Sequence, residues 1–495
     1  MSKIPSKSHF LSTLLACSLP LAMASTCLTA SQSILTPGDE AARHHLQVLA
    51  DQDLIKELNT TWPLVSKDLS TQLSQIDTTG LTPTQSRSVN FLLNQLATDA
   101  NSHLQTQYGT SRQELRGFSN DFRENGELRI ALGSQKVPLA AQIEFSAVDN
   151  PTDGKSLRLD RSYLSVDWSD WQVGIGQIDR WWGPGWQSSA ILSNNARPSP
   201  GIFLSRNTSR KTDLPILRHL GPWSFTAFAN QLEGDRHIPH AKLLGTRFTF
   251  KPSPSLEIGL SRAAQWGGEG RPESLGSLVD LLLGHDNVGD DDIALDGSNE
   301  PGNQLGGFDW RWSGHLGDQP FAFYGQLIGE DESGGLPSRK IGLFGIETPV
   351  VTDWTHGHLY LEASDTTMDF IDDQMYNSTY NHHIYRSGYR YHGQPIGAST
   401  DNDSRLLTVG GFHELGTQQS MTWKALYASL NRDGVQANNT IAPTHIQTAM
   451  LSAEFNRKLT ENTSVGVHAS HMLNDIAPGT GLSKSSIQLV MTVFN

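Results

Sequence analysis

The sequence predicts a mainly β chain: an outer-membrane antiparallel β-barrel of about 18 strands behind a small N-terminal α-helical region. Three observations predict it. Residues 1–24 read as an export signal, the chain from about Gln113 alternates apolar and polar residues with a period of two, and tight turns alternate with long Gly- and Asp-rich connections.

In chain order, "MSKIPSKSHFLSTLLACSLPLAMAS" places Lys3 and Lys7 before an apolar run from Phe10 and ends on Ala22-Met23-Ala24, the parts of a secretory signal peptide. Cleavage there is preferred to a cut after Ala30, and to lipidation at Cys17, where Leu15 is bulky for a lipoprotein box. The remainder divides at about residue 110: a helical region over 25–110 and a transmembrane β-barrel with long extracellular loops over 111–495. The only cysteines, Cys17 and Cys27, lie in or beside the signal, which excludes a disulfide framework and a Cys-ligated metal from the mature body. Formal charge is −14, and the signal takes two lysines and no acid with it, so the mature chain is more acidic still and a poor partner for nucleic acid. Mean hydropathy of −0.38, with one long apolar run at the start, argues against a polytopic helical membrane protein.

The stretch "TPGDEAARHHLQVLADQDLIKEL" offers Thr36 as a helix cap, Pro37 at the first turn, Asp39 and Glu40 near the positive end, and Ala42, Leu46, Leu49 and Ala50 at helical spacing. Thr82-Pro83 opens a second helix carrying Val89, Leu92, Leu93 and Leu96. Two short amphipathic helices are marginal alone, so they must pack on something larger.

Beyond Gln113, Leu256, Ile258 and Leu260 alternate with Glu257, Gly259 and Ser261; Leu359, Leu361 and Ala363 with His358, Tyr360 and Glu362; Met421, Trp423, Ala425 and Tyr427 with Thr422 and Lys424. These are strands with two unlike faces. "RFTFKPSPSLEIGL" and "AEFNRKLTENTSVGV" turn tightly, whereas "LLLGHDNVGDDDIALDGSNEPGNQ" is a long loop. At roughly 20 residues per strand and connection, the chain from Gln113 to Asn495 holds on the order of 16 to 20 strands. A secreted β-sandwich or propeller shares the two-residue period; the apolar face of the last strand, Ile487, Leu489, Met491 and Val493, favours the barrel.

One segment stands apart: "IDRWWGPGWQSSAILSNNARPSPG", residues 178–201. Between 178 and 218 the cations Arg180, Arg197, Arg206, Arg210, Lys211 and Arg218 face only Asp179 and Asp213, a basic island in an acidic chain. Indole faces cover sugar C–H faces and guanidinium groups pair with uronate or phosphate, so Arg180, Trp181, Trp182, Trp186, Asn194, Asn195, Arg197 and Arg206 are candidate glycan-binding residues. A second reading stands beside it: an inward-folded loop whose tryptophans fill the lumen, shaped by Gly183, Pro184 and Gly185, or an interfacial aromatic girdle.

"WWGPGWQSSAILSNNARPSPGI", together with "QWGGEGRPESL" (265–275), "GNQLGGFDWRW" (302–312), "FYGQLIGEDESGGLPSRK" (323–340), "YRSGYRYHGQPIGASTDNDSR" (385–405), "LQVLADQDLI" and "TWPL" (61–64), resembles the capsule assembly Wzi family over nearly the whole mature chain. The resemblance implies an outer-membrane barrel of about 18 strands with a helical bundle on its periplasmic side. It also implies a lectin-like role in holding capsular or related exopolysaccharide at the surface of a Gram-negative cell. It carries over no catalytic residue.

No HExxH, G-x-S-x-G, Walker loop or Cys/His zinc spacing occurs, so neither an enzyme nor a metal or other cofactor is expected. Glu330 with Asp331 and Asp401 with Asp403 read as solvated loop carboxylates rather than an acid/base pair. The acidic stretch with Asp286, Asp290, Asp291, Asp292, Asp296 and Glu300 lacks a calcium-loop spacing, and His382, His383 and His392 read as polar loop or lumen residues. The expected function is outer-membrane attachment of an acidic polysaccharide by a monomer in contact with outer-membrane lipid. Polysaccharide export machinery is a candidate partner, and a diffusion porin is the alternative.

Overall fold

The computed structural model describes residues 34–97, 102–119, 122–136, 138–215, 217–283, 302–333, 336–372, 374–435, 439–474 and 482–494. The signal segment 1–24, both cysteines and the acidic stretch from Asp286 to Glu300 lie outside them.

Eighteen antiparallel strands close into one barrel. They are β1 (His103–Gly109), β2 (Gly126–Lys136), β3 (Leu139–Asp149), β4 (Tyr163–Trp168), β5 (Trp171–Gly176) and β6 (Gly201–Arg206). Next come β7 (Trp223–Gln231), β8 (Lys242–Ser253), β9 (Leu256–Trp266), β10 (Gly302–Leu316), β11 (Gln319–Ser333) and β12 (Leu336–Val351). The last are β13 (His356–Asp365), β14 (Arg405–Leu415), β15 (Gln419–Leu430), β16 (Ile446–Thr460), β17 (Thr463–Met472) and β18 (Ser485–Phe494). β18 pairs with β1 from Gln488↔Gly109 to Phe494↔His103, so the sheet has no free edge.

The period-two pattern maps onto two environments. Along β9, Glu257 is 2% exposed toward the lumen and Leu260 is 48% exposed outside. The same alternation puts Glu127, Glu144, Arg247, Asp309, Gln326 and Glu362 inside, while Ile143, Ile175, Phe323, Leu407, Leu451 and Leu489 form an exposed outer belt. Tight turns lie at one end (β2–β3, β4–β5, β8–β9, β10–β11, β16–β17), and long connections lie mostly at the other.

The first strand begins at His103, ahead of both the boundary expected at residue 110 and the onset of alternation expected near Gln113. Polar Gln105 and Gln107 hide its alternation, because its lumen side is polar and its outer side carries little apolar bulk.

Three helices precede the barrel: α1 (Glu40–Asp51), α2 (Ser66–Ser74) and α3 (Pro83–Ala97). Asp39 rather than Thr36 caps α1, accepting the Ala42 N–H at 2.9 Å. Thr82 and Gln85 close a reciprocal capping box on α3, through Thr82 N–H to Gln85 Oε1 at 2.7 Å and Gln85 N–H to Thr82 Oγ1 at 3.3 Å. Helix α2 has no side-chain cap and escapes the sequence reading for that reason. The helices bury Leu46, Leu49, Leu69, Leu73, Val89, Leu92 and Leu96 in one cluster with Trp62, Trp181, Trp186 and the wall residues Tyr324 and Tyr360. They sit at the tight-turn end: Arg87 donates to Gly416 O in the β14–β15 turn, and Asp68 accepts from Ser209 in the β6–β7 connection. A further helix, α4 (Leu275–Leu283), starts before and runs into the stretch expected to be loop.

Candidate functional site

Strand β5 ends at Gly176, and the chain then turns into the lumen for most of the 177–200 connection. Trp181 and Trp182 pair antiparallel with Trp62 and Thr61 of the helical region. The two segments close the lumen from opposite ends of the barrel. Phe118 lies between the indoles of Trp62, Trp181 and Trp186, edge-on at 5.2, 5.6 and 5.9 Å between ring centroids. The guanidinium of Arg43 on α1 sits 3.8 Å over Trp186 and donates to Gly185 O at 2.8 Å and to Pro184 O.

The glycines have a local cause. Gly183 has φ of +138°, and a Cβ there would lie 2.6 Å from Gln326 Nε2. That closeness serves a contact: Gln326 on β11 donates to Trp182 O at 2.8 Å and accepts the Ala190 N–H at 2.8 Å. Glu362 on β13 accepts the N–H groups of Trp186 and Ser188, both at 2.7 Å, and the Tyr324 hydroxyl at 3.0 Å. Trp186 Nε1–H donates to Glu347. A buried turn leaves backbone donors that need acceptors, and the lumen-facing carboxylates supply them. Beneath, Arg247 and Asp309, both 0% exposed, pair at 2.5 Å while Arg247 donates to Thr60 O at 3.0 Å and Thr61 Oγ1 at 2.7 Å.

Two more connections lock the plug from the long-loop side. Tyr380 and Tyr389, in the β13–β14 connection, donate their hydroxyls to Ala190 O at 2.5 Å and Ile191 O at 2.9 Å. From the β1–β2 connection, Arg116 donates to Asn195 Oδ1 at 2.8 Å and Arg123 to Asn194 O at 3.0 Å. Asp401 is fully buried, gripping Arg390 at 2.7 and 3.0 Å and Thr440 Oγ1 at 2.7 Å, and Asp403 is also 0% exposed. Neither is the solvated carboxylate expected from its Gly, Ser and Asn surroundings. Glu330 is likewise a strand residue, accepting the Tyr380 N–H at 3.1 Å.

This geometry corrects most of the candidate glycan contacts. Trp181, Trp182 and Trp186 are each 1% exposed, so no indole face is open to a sugar ring, and their place inside the lumen rules out the girdle reading too. Arg180 is 7% exposed, lying 4.3 Å over Phe228 and donating to Ile178 O; burial, opposed by Asp179, pulls its pKa down to about 10. Asn194 and Asn195, 8% and 2% exposed, hold neighbouring loops through their amides. Arg206 ends β6 opposite Trp171, at the tight-turn end, stacked 3.7 Å over Trp223. Arg210 there pairs with Asp68 of α2. The basic island therefore does not exist in space: β6 carries the chain across the barrel between Arg197 and Arg206.

Arg197 alone keeps partial exposure, with 13% of its side chain accessible while it grips Asp160 at 2.7 Å and also Asp153. It lines a concavity at the long-loop end with Arg112, Arg116, Arg123, Tyr391 and His392, among the carboxylates Glu114, Glu124 and Asp153; Arg112 pairs with Glu114 and Arg123 with Asp179. Sequence reasoning placed His392 in a polar loop or the lumen and missed Arg112, Arg116, Arg123 and Tyr391. The three arginines sit in the mixed-charge run Arg112, Glu114, Arg116, Arg123, Glu124, whose near-neutral balance gives no local signal of a site.

The model of the capsule assembly protein Wzi family matches residues 99–476. The chain belongs to the Wzi family. A 55.8 kDa protein in the cps region of Klebsiella pneumoniae is 34% identical over 411 residues, covering 80% of this chain and 77% of that protein. The solved structure of Escherichia coli Wzi, an outer-membrane protein involved in group 1 capsule assembly and a carbohydrate-binding β-barrel, superposes with a TM-score of 0.82 at 26% identity, covering 93% of this chain and 99% of that one. As a Wzi-family barrel with an apolar outer belt, the chain is an outer-membrane protein.

Proposed function

We propose that this chain is a lectin-like outer-membrane protein that binds an acidic capsular or related exopolysaccharide at the long-loop end of its barrel and holds it on the cell surface. The observation that carries this reading is the filled lumen. Glu347, Glu362, Gln326 and Arg247 are committed to the plug and the helical region, leaving the outer surface of the barrel's long-loop end as the place for a ligand. Family membership and the carbohydrate-binding E. coli relative support it, and both favour attachment over a diffusion porin.

In this reading the tight-turn end with α1 to α3 faces the periplasm, where it meets the polysaccharide export machinery, and the long connections face outward. The closed sheet leaves no edge for pairing with another copy, which favours a monomer. Arg112 and Arg197 make the charged contacts with uronate or phosphate groups.

Binding of purified acidic polysaccharide to the detergent-solubilised protein tests this. Arg112→Glu is expected to weaken binding by about tenfold or more, from the loss of one charge-assisted contact worth roughly 1.5–3 kcal/mol. Rising salt should weaken the wild type toward the variant. Equal affinity of wild type, Arg112→Glu and Arg197→Ala would remove the concavity from the site.

A further inference from the structure

The outer belt is interrupted at the long-loop rim. Arg262 on β9 alternates with the lumen-facing Ser261 and Ala263, so it projects outward, as does Gln304 on the neighbouring β10. A guanidinium facing lipid costs on the order of 2–4 kcal/mol near the midplane and less toward the interface, so an outward arginine needs a partner. Helix α4 provides one. Arg262 donates to Leu281 O at 2.7 Å, at the negative end of the helix, and to Gln304 Oε1 at 2.6 Å.

Other contacts fix the helix against the outside of the wall. Trp266 Nε1–H donates to Ser277 Oγ at 3.2 Å, and a Cβ on Gly302 would lie 2.7 Å from Leu281 Cδ1, so the helix presses directly on β10. Ser277 meets Trp266, and Leu281 meets Arg262 four residues further along β9, so α4 runs from the rim toward the belt. The next outward residue on β9 is Leu260, which is 48% exposed. Leu281 is 1% exposed against the wall, whereas Leu275 and Val279, one helical turn apart on the opposite face, are 82% and 49% exposed.

We propose that α4 is an interfacial insert, lying in the outer leaflet against the barrel wall with Leu275 and Val279 among lipid acyl chains. Continuity with the belt identifies the occupant: the apolar face of α4 extends the same lipid-facing surface upward, and the helix covers the outward polar pair Arg262 and Gln304. The barrel thereby gains a lipid contact that its strands alone do not make.

Single cysteines at Leu275 and Val279, in a chain with Cys17 and Cys27 changed to Ser, would carry an environment-sensitive fluorophore in proteoliposomes. Leu260→Cys serves as the lipid reference and Asp235→Cys, whose side chain is 76% exposed in a long-loop connection, as the water reference. The expected result is blue-shifted emission at 275 and 279, quenched by nitroxide-labelled lipid as strongly as at 260 and insensitive to iodide. Emission and iodide quenching matching position 235 would overturn the proposal. Protection from both quenchers would also overturn it, because a second protein copy would then cover the face.

Discussion

Arg247 and Asp309 show what individual residues do inside this barrel. Both are fully buried, and Arg247 bridges the wall to Thr60 and Thr61 of the helical region. Asp309→Asn would leave a buried guanidinium without its counter-charge, and a loss of about 3–5 kcal/mol is expected, read as a lower unfolding midpoint in denaturant. Trp186→Ala removes an indole held by Arg43, Phe118 and Glu347, with an expected loss of about 3–5 kcal/mol. The same substitution should leave polysaccharide affinity of the folded protein close to wild type, because the indole never reaches the surface. Asp403 sets a pH dependence: burial, reinforced by Asp433 and Asp401 against the Asn377 N–H and Arg432, pushes its pKa up from 3.8 to about 7. The folded form therefore holds this proton more tightly than the unfolded one. The stability it contributes is full below about pH 3.8 and is lost as pH rises through about 7. Hydrogen exchange of residues 366–404 should accelerate across that window, and Asp403→Asn should flatten the response.

At the scale of elements, alternation in β9, β13, β15 and β18 was legible because one face meets lipid and the other meets polar plug and wall groups. Leu489, 58% exposed in the middle of β18, belongs to the lipid face, so Leu489→Arg is expected to cost about 2–4 kcal/mol and to lower the yield of folded barrel, visible as loss of heat-modifiable gel mobility. The 177–200 connection was legible as rigid and turn-rich, but its role was not. A Trp/Arg cluster satisfies the chemistry of a sugar site and of a plug equally well, and only burial separates them. The basic island failed for a topological reason, since a six-residue strand between Arg197 and Arg206 separates neighbours in sequence by roughly 20 Å. Arg112, Arg123 and Tyr391 come together from the β1–β2 and β13–β14 connections, far apart in sequence and invisible to any local motif. Gly183→Ala tests the plug as an element: the positive φ and the Gln326 contact predict strain of about 1–3 kcal/mol and faster exchange through residues 181–190.

For the whole molecule, the closed sheet, the inward-folded connection and the helical region form a barrel filled from both ends. In planar bilayers it should show no steady conductance. In the proposed reading, function rests on the outward face, where Arg112 and Arg197 meet an acidic polymer. The most direct measurement is the amount of cell-bound and released polysaccharide in a deletion strain of the source organism, complemented with the wild-type chain or with Arg112→Glu. Loss of bound polymer with normal or raised release, restored by the wild type and poorly by the variant, is the predicted result. Unchanged bound and released amounts in the deletion strain would contradict surface attachment.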